Sequence, residues 1–242
     1  MGFLLAADHG PVRVLTLNRP ERRNALNTEL LRGLEDGFAA AEAAAGVEVI
    51  VLTGTDPSFC AGVDLGELEE KGRSPVMGAP LEGVTKPVIG AVNGPAITGG
   101  LELVLMCDLI VASERAAFGD THARLGLMPG WGQVGRLAAA VGTRRATDLL
   151  LTSRVIDATE AAAIGLVDAV APHAETLPRA LEMAAAIAAA PGPAVRAILA
   201  QLREGVGEPL ATTLRRERER ADAWQGEGFD TDFVKRKRES LR

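Results

Sequence analysis

The stretch AITGGLELVLMCD, residues 96–108, sets a carboxylate, Glu102, just after a glycine pair in an otherwise apolar run. An ionised side chain taken out of water without a partner costs several kcal/mol, so Glu102 is exposed, paired or useful. The stretch follows a strand pattern and opens a helical one, where a nucleotide-binding loop would lie. A P-loop needs Lys and Ser or Thr after its second glycine, but Gly100 and Leu101 stand there, and G-x-G-x-x-G is missing. The segment therefore reads poorly as a phosphate cradle. Glycine still lets backbone approach a ligand, and unpaired N–H groups at a helix start attract developing negative charge. A second strand-to-glycine stretch, SFCAGVDL (58–65), offers another such N–H. Two converging donors would make an oxyanion hole. From spacing alone, two tight α/β turns are the plainer reading.

Outward from this stretch, short runs rich in β-branched residues alternate with helical patterns. VRVLTL (12–17), VEVIVL (47–52), KPVIGAV (86–92), DLIVAS (108–113) and LVDAV (166–170) read as strands. Leu30, Leu31, Leu34 and Phe38 recur at helical spacing behind Asn27, a candidate N-cap. In DATEAAAIG (157–165), Asp157 and Glu160 have capping-box spacing and Gly165 marks the end. The alternation predicts a mostly parallel α/β core. Residues 67–83, rich in charge, Gly and Pro, read as a surface loop. Past about residue 190 the strand signals stop, and amphipathic helices follow that need a surface to pack on. The expected division is 1–190 as core and 191–242 as helical appendage.

With 47% hydrophobic residues and a formal charge of −6, the chain is unsuited to general binding of nucleic acid or anionic membranes. No run reaches the ~18 apolar residues of a membrane span, and the expected compartment is the cytoplasm. Cys60 and Cys107 read as buried thiols. His9 and His173 lie beside Gly-Pro and Pro and read as turn residues, and no His, Cys and carboxylate cluster has metal-ligand spacing.

RPERRNALN (19–27), SFCAGVDL (58–65), KPVIGAVNGPAITGGLELVLMCDLIVAS (86–113), FGDTHARLGLMPGWG (118–132) and ATEAAAIGLVDAV (158–170), taken in order, resemble the crotonase, or enoyl-CoA hydratase/isomerase, superfamily. The likeness runs from about residue 10 to 190. It implies a spiral of ββα repeats, a C-terminal helical trimerisation region, and a homotrimer or a hexamer made as a dimer of trimers. It also implies an acyl-CoA substrate, with coenzyme A part of that substrate and no separate cofactor or metal. The oxyanion hole would use Val63 and Gly99. The acyl-CoA would pass Asn24, Ala25 and Leu26, then Ala61 and Val63 through Asp64, Leu65 and Gly66. Arg22 or Arg23 would meet a CoA phosphate, KRKR (235–238) would reach a neighbouring subunit's nucleotide or stay solvated, and Trp131 would narrow the acyl pocket or pack.

The family's hydratases share proton handling between two glutamates. Glu102 falls on the first position, where it would hold the attacking water, and His122 stands in place of the second. Imidazole can act as acid or base near neutrality, and Asp120, two residues earlier on an extended segment, would orient its ring. The resemblance thus implies addition or elimination of water on a 2-enoyl-CoA, with Glu102 and His122 catalytic. Other enolate chemistry, as in an isomerase or decarboxylase, and acyl-CoA binding without turnover are the alternatives left open by the missing glutamate.

Overall fold

The computed structural model describes residues 2–71 and 78–227. Its main sheet, in spatial order β1-β2-β3-β4-β6-β9, takes β1 (Leu4–His9), β2 (Val12–Leu17), β3 (Val49–Gly54), β4 (Val88–Val92), β6 (Leu109–Ser113) and β9 (Ala169–Ala171). β1 and β2 form an antiparallel hairpin through Gly10, whose φ of 60° glycine adopts without strain, and the remaining pairs run parallel. A small sheet joins β5 (Ala96–Ile97), β7 (Ala117–Gly119) and β8 (Val155–Asp157).

Every residue of β3 and β4 is buried, as expected for parallel strands covered on both faces. Ile50 and Leu52 point into a layer with α1 (Thr28–Ala43) and α3 (Gly99–Met106). Val49 and Val51 point into the opposite layer, where α8 (Thr176–Ala188) lays Ala180 and Ala184 on the sheet. Small residues there let the helix sit close. Asn27 caps α1 as predicted, accepting from the Leu30 N–H at 2.9 Å, and Leu30, Leu31, Leu34 and Phe38 form its buried stripe.

Three local readings need correction. Residues 67–71 of the supposed loop belong to α2 (Leu65–Lys71), because Asp64 Oδ1 accepts from the N–H groups of Gly66 (3.0 Å) and Glu67 (3.3 Å), a side-chain cap. Glu67 then pairs with Lys71 one turn on. Residues 72–77 lie outside the described residues. In α7 (Ala158–Ala163), Asp157 caps the Glu160 N–H at 2.8 Å, but the Glu160 carboxylate turns to Arg154 instead of closing the box. The last strand also falls later than LV (166–167), at Ala169–Ala171.

Between β7 and β8 lie α4 (His122–Leu125), α5 (Gln133–Val141) and α6 (Thr143–Thr152). A core unit ends at Ala189, and a second begins at Ala190. The second holds α9 (Gly192–Gly205) and α10 (Leu210–Glu227), turned about Gly207 and tied by Arg220–Glu204 at 2.6 Å. Among the described residues no single helix is long and apolar enough to cross a membrane.

Candidate active site

Three segments distant in sequence lie side by side. Ala61 N–H donates to Arg23 O (3.0 Å), Leu26 N–H to Gly62 O (2.7 Å) and Asp64 N–H to Leu26 O (3.0 Å). Cys60 N–H donates to Pro95 O (3.1 Å) and Ile97 N–H to Cys60 O (2.9 Å). This ladder passes over two amides. Among the described residues, neither Val63 N–H nor Gly99 N–H donates to a protein acceptor. They are also neighbours: a Cβ added to Gly99 would stand 3.7 Å from Val63 N, and one on Gly62 would stand 3.4 Å from Gly99 N. Glycine is required at 62, where φ is 94° and a Cβ would meet Ile97 O at 2.8 Å. Gly99 opens α3, so its N–H has no intrahelical partner to find.

Thr98 sets the direction of that opening turn. Its backbone is at φ 55°, ψ −111°, a region that costs a β-branched residue roughly 1–3 kcal/mol. The conformation is held by three hydrogen bonds. Thr98 N–H donates to Gly119 O (2.9 Å), Thr121 N–H donates to Thr98 Oγ1 (3.1 Å), and the two threonine hydroxyls share a hydrogen bond of 2.6 Å.

One turn into α3, Glu102 is buried at 5% exposure. Its Oε1 accepts from Trp131 N–H (2.8 Å) and Gly130 N–H (3.2 Å), and its Oε2 stands 4.0 Å from His122 Nε2. His122 Nδ1 meets Asp120 Oδ1 at 2.6 Å, so the Asp120 carboxylate orients the ring and turns Nε2 toward Glu102, although His122 opens α4 and does not continue an extended segment. Burial pushes the Glu102 carboxyl above its ordinary value, a rise that the Trp131 and Gly130 amides and His122 oppose incompletely. Burial acts on Asp120 in the same sense, but the His122 ring and the Gln133 side chain outweigh it and hold that carboxyl below its ordinary value. Paired carboxyls driven apart in this way divide the work: Glu102 is suited to exchanging protons, Asp120 to staying ionised. Gln133 was not foreseen. It is fully buried at the start of α5, and among the described residues its Nε2 and Oε1 make no hydrogen bond of ordinary geometry.

The remaining candidates divide by exposure. Arg22, Arg23, Leu65 and Gly66 are exposed; Ala25, Ala61, Val63, Asp64 and Trp131 are half-buried. Asn24 and Leu26 have fully buried side chains. Asn24 Nδ2 donates to Thr55 O (2.8 Å) and Ser58 O (2.7 Å), while its Oδ1 accepts from Arg19 N–H (2.8 Å), so its side chain shapes the loop from within. Asp64 Oδ2 pairs with Arg19 Nη2 at 3.0 Å, and Arg19 Nη1 donates to Ala25 O (2.6 Å), which ties the two loops together. Residues 235–238 lie outside the described residues. Cys60 is fully buried and its thiol is pushed up to about 12 by desolvation, whereas Cys107 is only half-buried, a correction to its reading. His9 ends β1, exposed, and His173 lies in a short 3₁₀ turn with its ring between Ser113 Oγ (3.1 Å) and Asp56 Oδ2 (3.0 Å).

A glycine-started helix with unpaired amides, a buried carboxylate one turn in, and an imidazole opposite invite comparison with known proteins. Residues 8–235 match the family model described as enoyl-CoA hydratase/isomerase. The 2,3-dehydroadipyl-CoA hydratase of Escherichia coli K12 is 39% identical over 226 residues, covering 90% of this chain and 89% of that protein. A crystal structure of an enoyl-CoA hydratase from Mycobacterium tuberculosis H37Rv superposes with a TM-score of 0.81 at 44% identity, covering 93% of this chain and all of that one (100%). One from Bacillus anthracis reaches 0.86 at 32% identity, over 96% and 93% of the two chains. Likeness on that scale, carried from strand to strand along nearly the whole sequence, makes this chain a member of the enoyl-CoA hydratase/isomerase family.

Proposed function

We propose that the chain is a hydro-lyase that adds water to, and removes it from, the double bond of a 2-enoyl-CoA thioester. One observation carries this reading: the Val63 and Gly99 amides stand together with no acceptor of the protein's own among the described residues. A thioester oxygen seated between them would gain negative charge as water attacks Cβ. Preset donors at such an oxyanion hole contribute about 3 kcal/mol each to the transition state.

Glu102 accepts the proton of the attacking water. Its Oε1 is anchored by two backbone amides, so the lone pairs facing the substrate keep a fixed direction. The protonated His122 ring, stabilised by Asp120, gives its Nε2 proton to Cα. The proton on Glu102 then crosses the 4.0 Å gap to His122 Nε2 and restores both groups, so one water is consumed and no net proton is exchanged. No cofactor enters beyond the coenzyme A of the substrate itself. The exposed Arg22 and Arg23 suit its phosphates, Ala25, Ala61, Leu65 and Gly66 the pantetheine, and Trp131 the acyl side. The enoyl-CoA class is supported by the relative named as a hydratase of 2,3-dehydroadipyl-CoA. Ile198 and Leu202 on α9, more than 60% exposed, support self-association through the C-terminal helices, as a homotrimer or a dimer of trimers would use them.

The test is the loss of enoyl-thioester absorbance with short and long 2-enoyl-CoA substrates. Wild type should turn over, Glu102→Gln and His122→Ala should each lose about 100-fold or more, and His122→Glu should keep or raise the rate. Tight acyl-CoA binding without turnover at any chain length would overturn the assignment in favour of a carrier.

A further inference from the structure

Thr98 and Thr121 take no part in the proton transfers above, yet each adjoins a group that does. Thr98 precedes Gly99, whose N–H would hold the thioester oxygen, and Thr121 precedes His122, which would protonate Cα. The two residues are 23 positions apart and joined twice, by the 2.6 Å hydroxyl pair and by Thr121 N–H donating to Thr98 Oγ1 at 3.1 Å. Thr98 is 5% exposed and holds a φ of 55°. Glycine would adopt that backbone without strain, so the hydroxyl is what a threonine adds there.

We propose that the Thr98–Thr121 hydroxyl pair is a strut that fixes the separation between the Gly99 N–H and the His122 ring, making both threonines positioning residues. The thioester carbonyl carbon and Cα are bonded neighbours. A donor on the oxygen and an acid at Cα must therefore hold one separation to within a few tenths of an ångström. The β5–α3 turn carries one of these groups and the β7–α4 turn carries the other. Displacements near 1 Å cost roughly 100-fold in such arrangements. The catalytic part of this inference rests on the hydratase reading; the mechanical part does not.

The experiment has two arms on the full chain. In the kinetic arm, Thr98→Val and Thr121→Val, which keep shape and remove the hydroxyl, each lower kcat by about 10- to 100-fold with KM within about twofold. The double variant is no slower than the slower single, and Thr98→Ser and Thr121→Ser stay within about threefold of wild type. In the NMR arm, with ¹⁵N-glycine and labelled histidine, Thr121→Val shifts the Gly99 amide resonance and Thr98→Val shifts the His122 ring resonances, while both serine variants leave them in place. Multiplying kinetic effects, or serine variants as damaged as valine ones, overturn the strut, as do unmoved cross-site resonances. An inactive wild type with coupled resonances removes the hydratase reading and leaves the strut standing. Turnover in wild type with uncoupled resonances does the reverse.

Discussion

Gly99→Ala isolates the chemistry of the amide pair from the stability of the fold. The added Cβ would stand 3.7 Å from Val63 N and 3.2 Å from Leu26 Cδ1. The Leu26 contact is tight but involves the end of a flexible side chain, which yields by a few tenths of an ångström. Gly99 is the first helical residue and has no positive φ, so alanine also gains roughly 0.5–1 kcal/mol in backbone terms. The two effects oppose, and the melting temperature should stay within about 4 °C of wild type. Activity should behave differently. An oxygen accepting from Val63 sits about 2.9 Å from its nitrogen, and a methyl carbon beside that nitrogen must stay about 3.3 Å or more from the oxygen. The added methyl borders the space that oxygen would occupy, and crowding it off one donor would cost about 100- to 1,000-fold in kcat. The assay is steady-state hydration of a short 2-enoyl-CoA beside a thermal melt. A Gly99→Ala protein that melts like wild type and hydrates at the wild-type rate would refute the oxyanion hole.

Four further outcomes follow from the same geometry. Gly100→Ala should fail where Gly99→Ala folds, because its Cβ would fall 2.1 Å from Cys60 O in the rigid ladder; a urea midpoint lowered by at least about 1–3 kcal/mol of stability, or insoluble expression, is expected. Glu102→Gln should melt higher than wild type at pH 7. The folded-state pKa is raised above its ordinary 4.5, so the buried charge lowers stability as pH climbs through that window, and the gain should vanish in melts taken below about 4.5. Asp120 has the opposite sign: its contribution is present above its ordinary 3.8 and lost as pH falls through the depressed folded value, so Asp120→Asn should lose stability at pH 7 together with about 100-fold in kcat. Arg19→Ala takes the cation from half-buried Asp64 and the Nη1 donor from Ala25 O and should cost about 1–2 kcal/mol by urea denaturation, which Arg19→Lys recovers only in part.

The parts of the fold legible in the sequence were those whose signal is local. VRVLTL and DLIVAS are strands because β-branched runs fill a buried sheet, and Asn27 caps α1 because its oxygen needs only the next turn. β5, β7 and β8 hold two or three residues each and gain their partners only from tertiary contact, which no window of sequence contains. α2 was missed because its charged run resembles a solvated loop until Asp64 is seen capping it. In the site, Glu102 stands out as a carboxylate in an apolar run and His122 by its place in a motif. Thr98 looks like an ordinary helix cap, yet it makes no side-chain cap bond and its hydroxyl goes to Thr121 instead. Gln133 follows Trp131-Gly132 as an unremarked polar residue; a glutamine at the opening of an amphipathic helix gives no sign that it will be fully buried.

Glu102 is anchored through the main chain of residues 130 and 131, and that choice has an evolutionary reach. Any amino acid other than proline carries the same amide hydrogen, so under the proposed function mutation at position 131 would reshape the surface offered to an acyl tail while Glu102 keeps its aim. Chemistry and chain-length preference can then diverge independently along a lineage, since the ring of Trp131 and the hydrogen that steadies Glu102 are inherited through separate atoms.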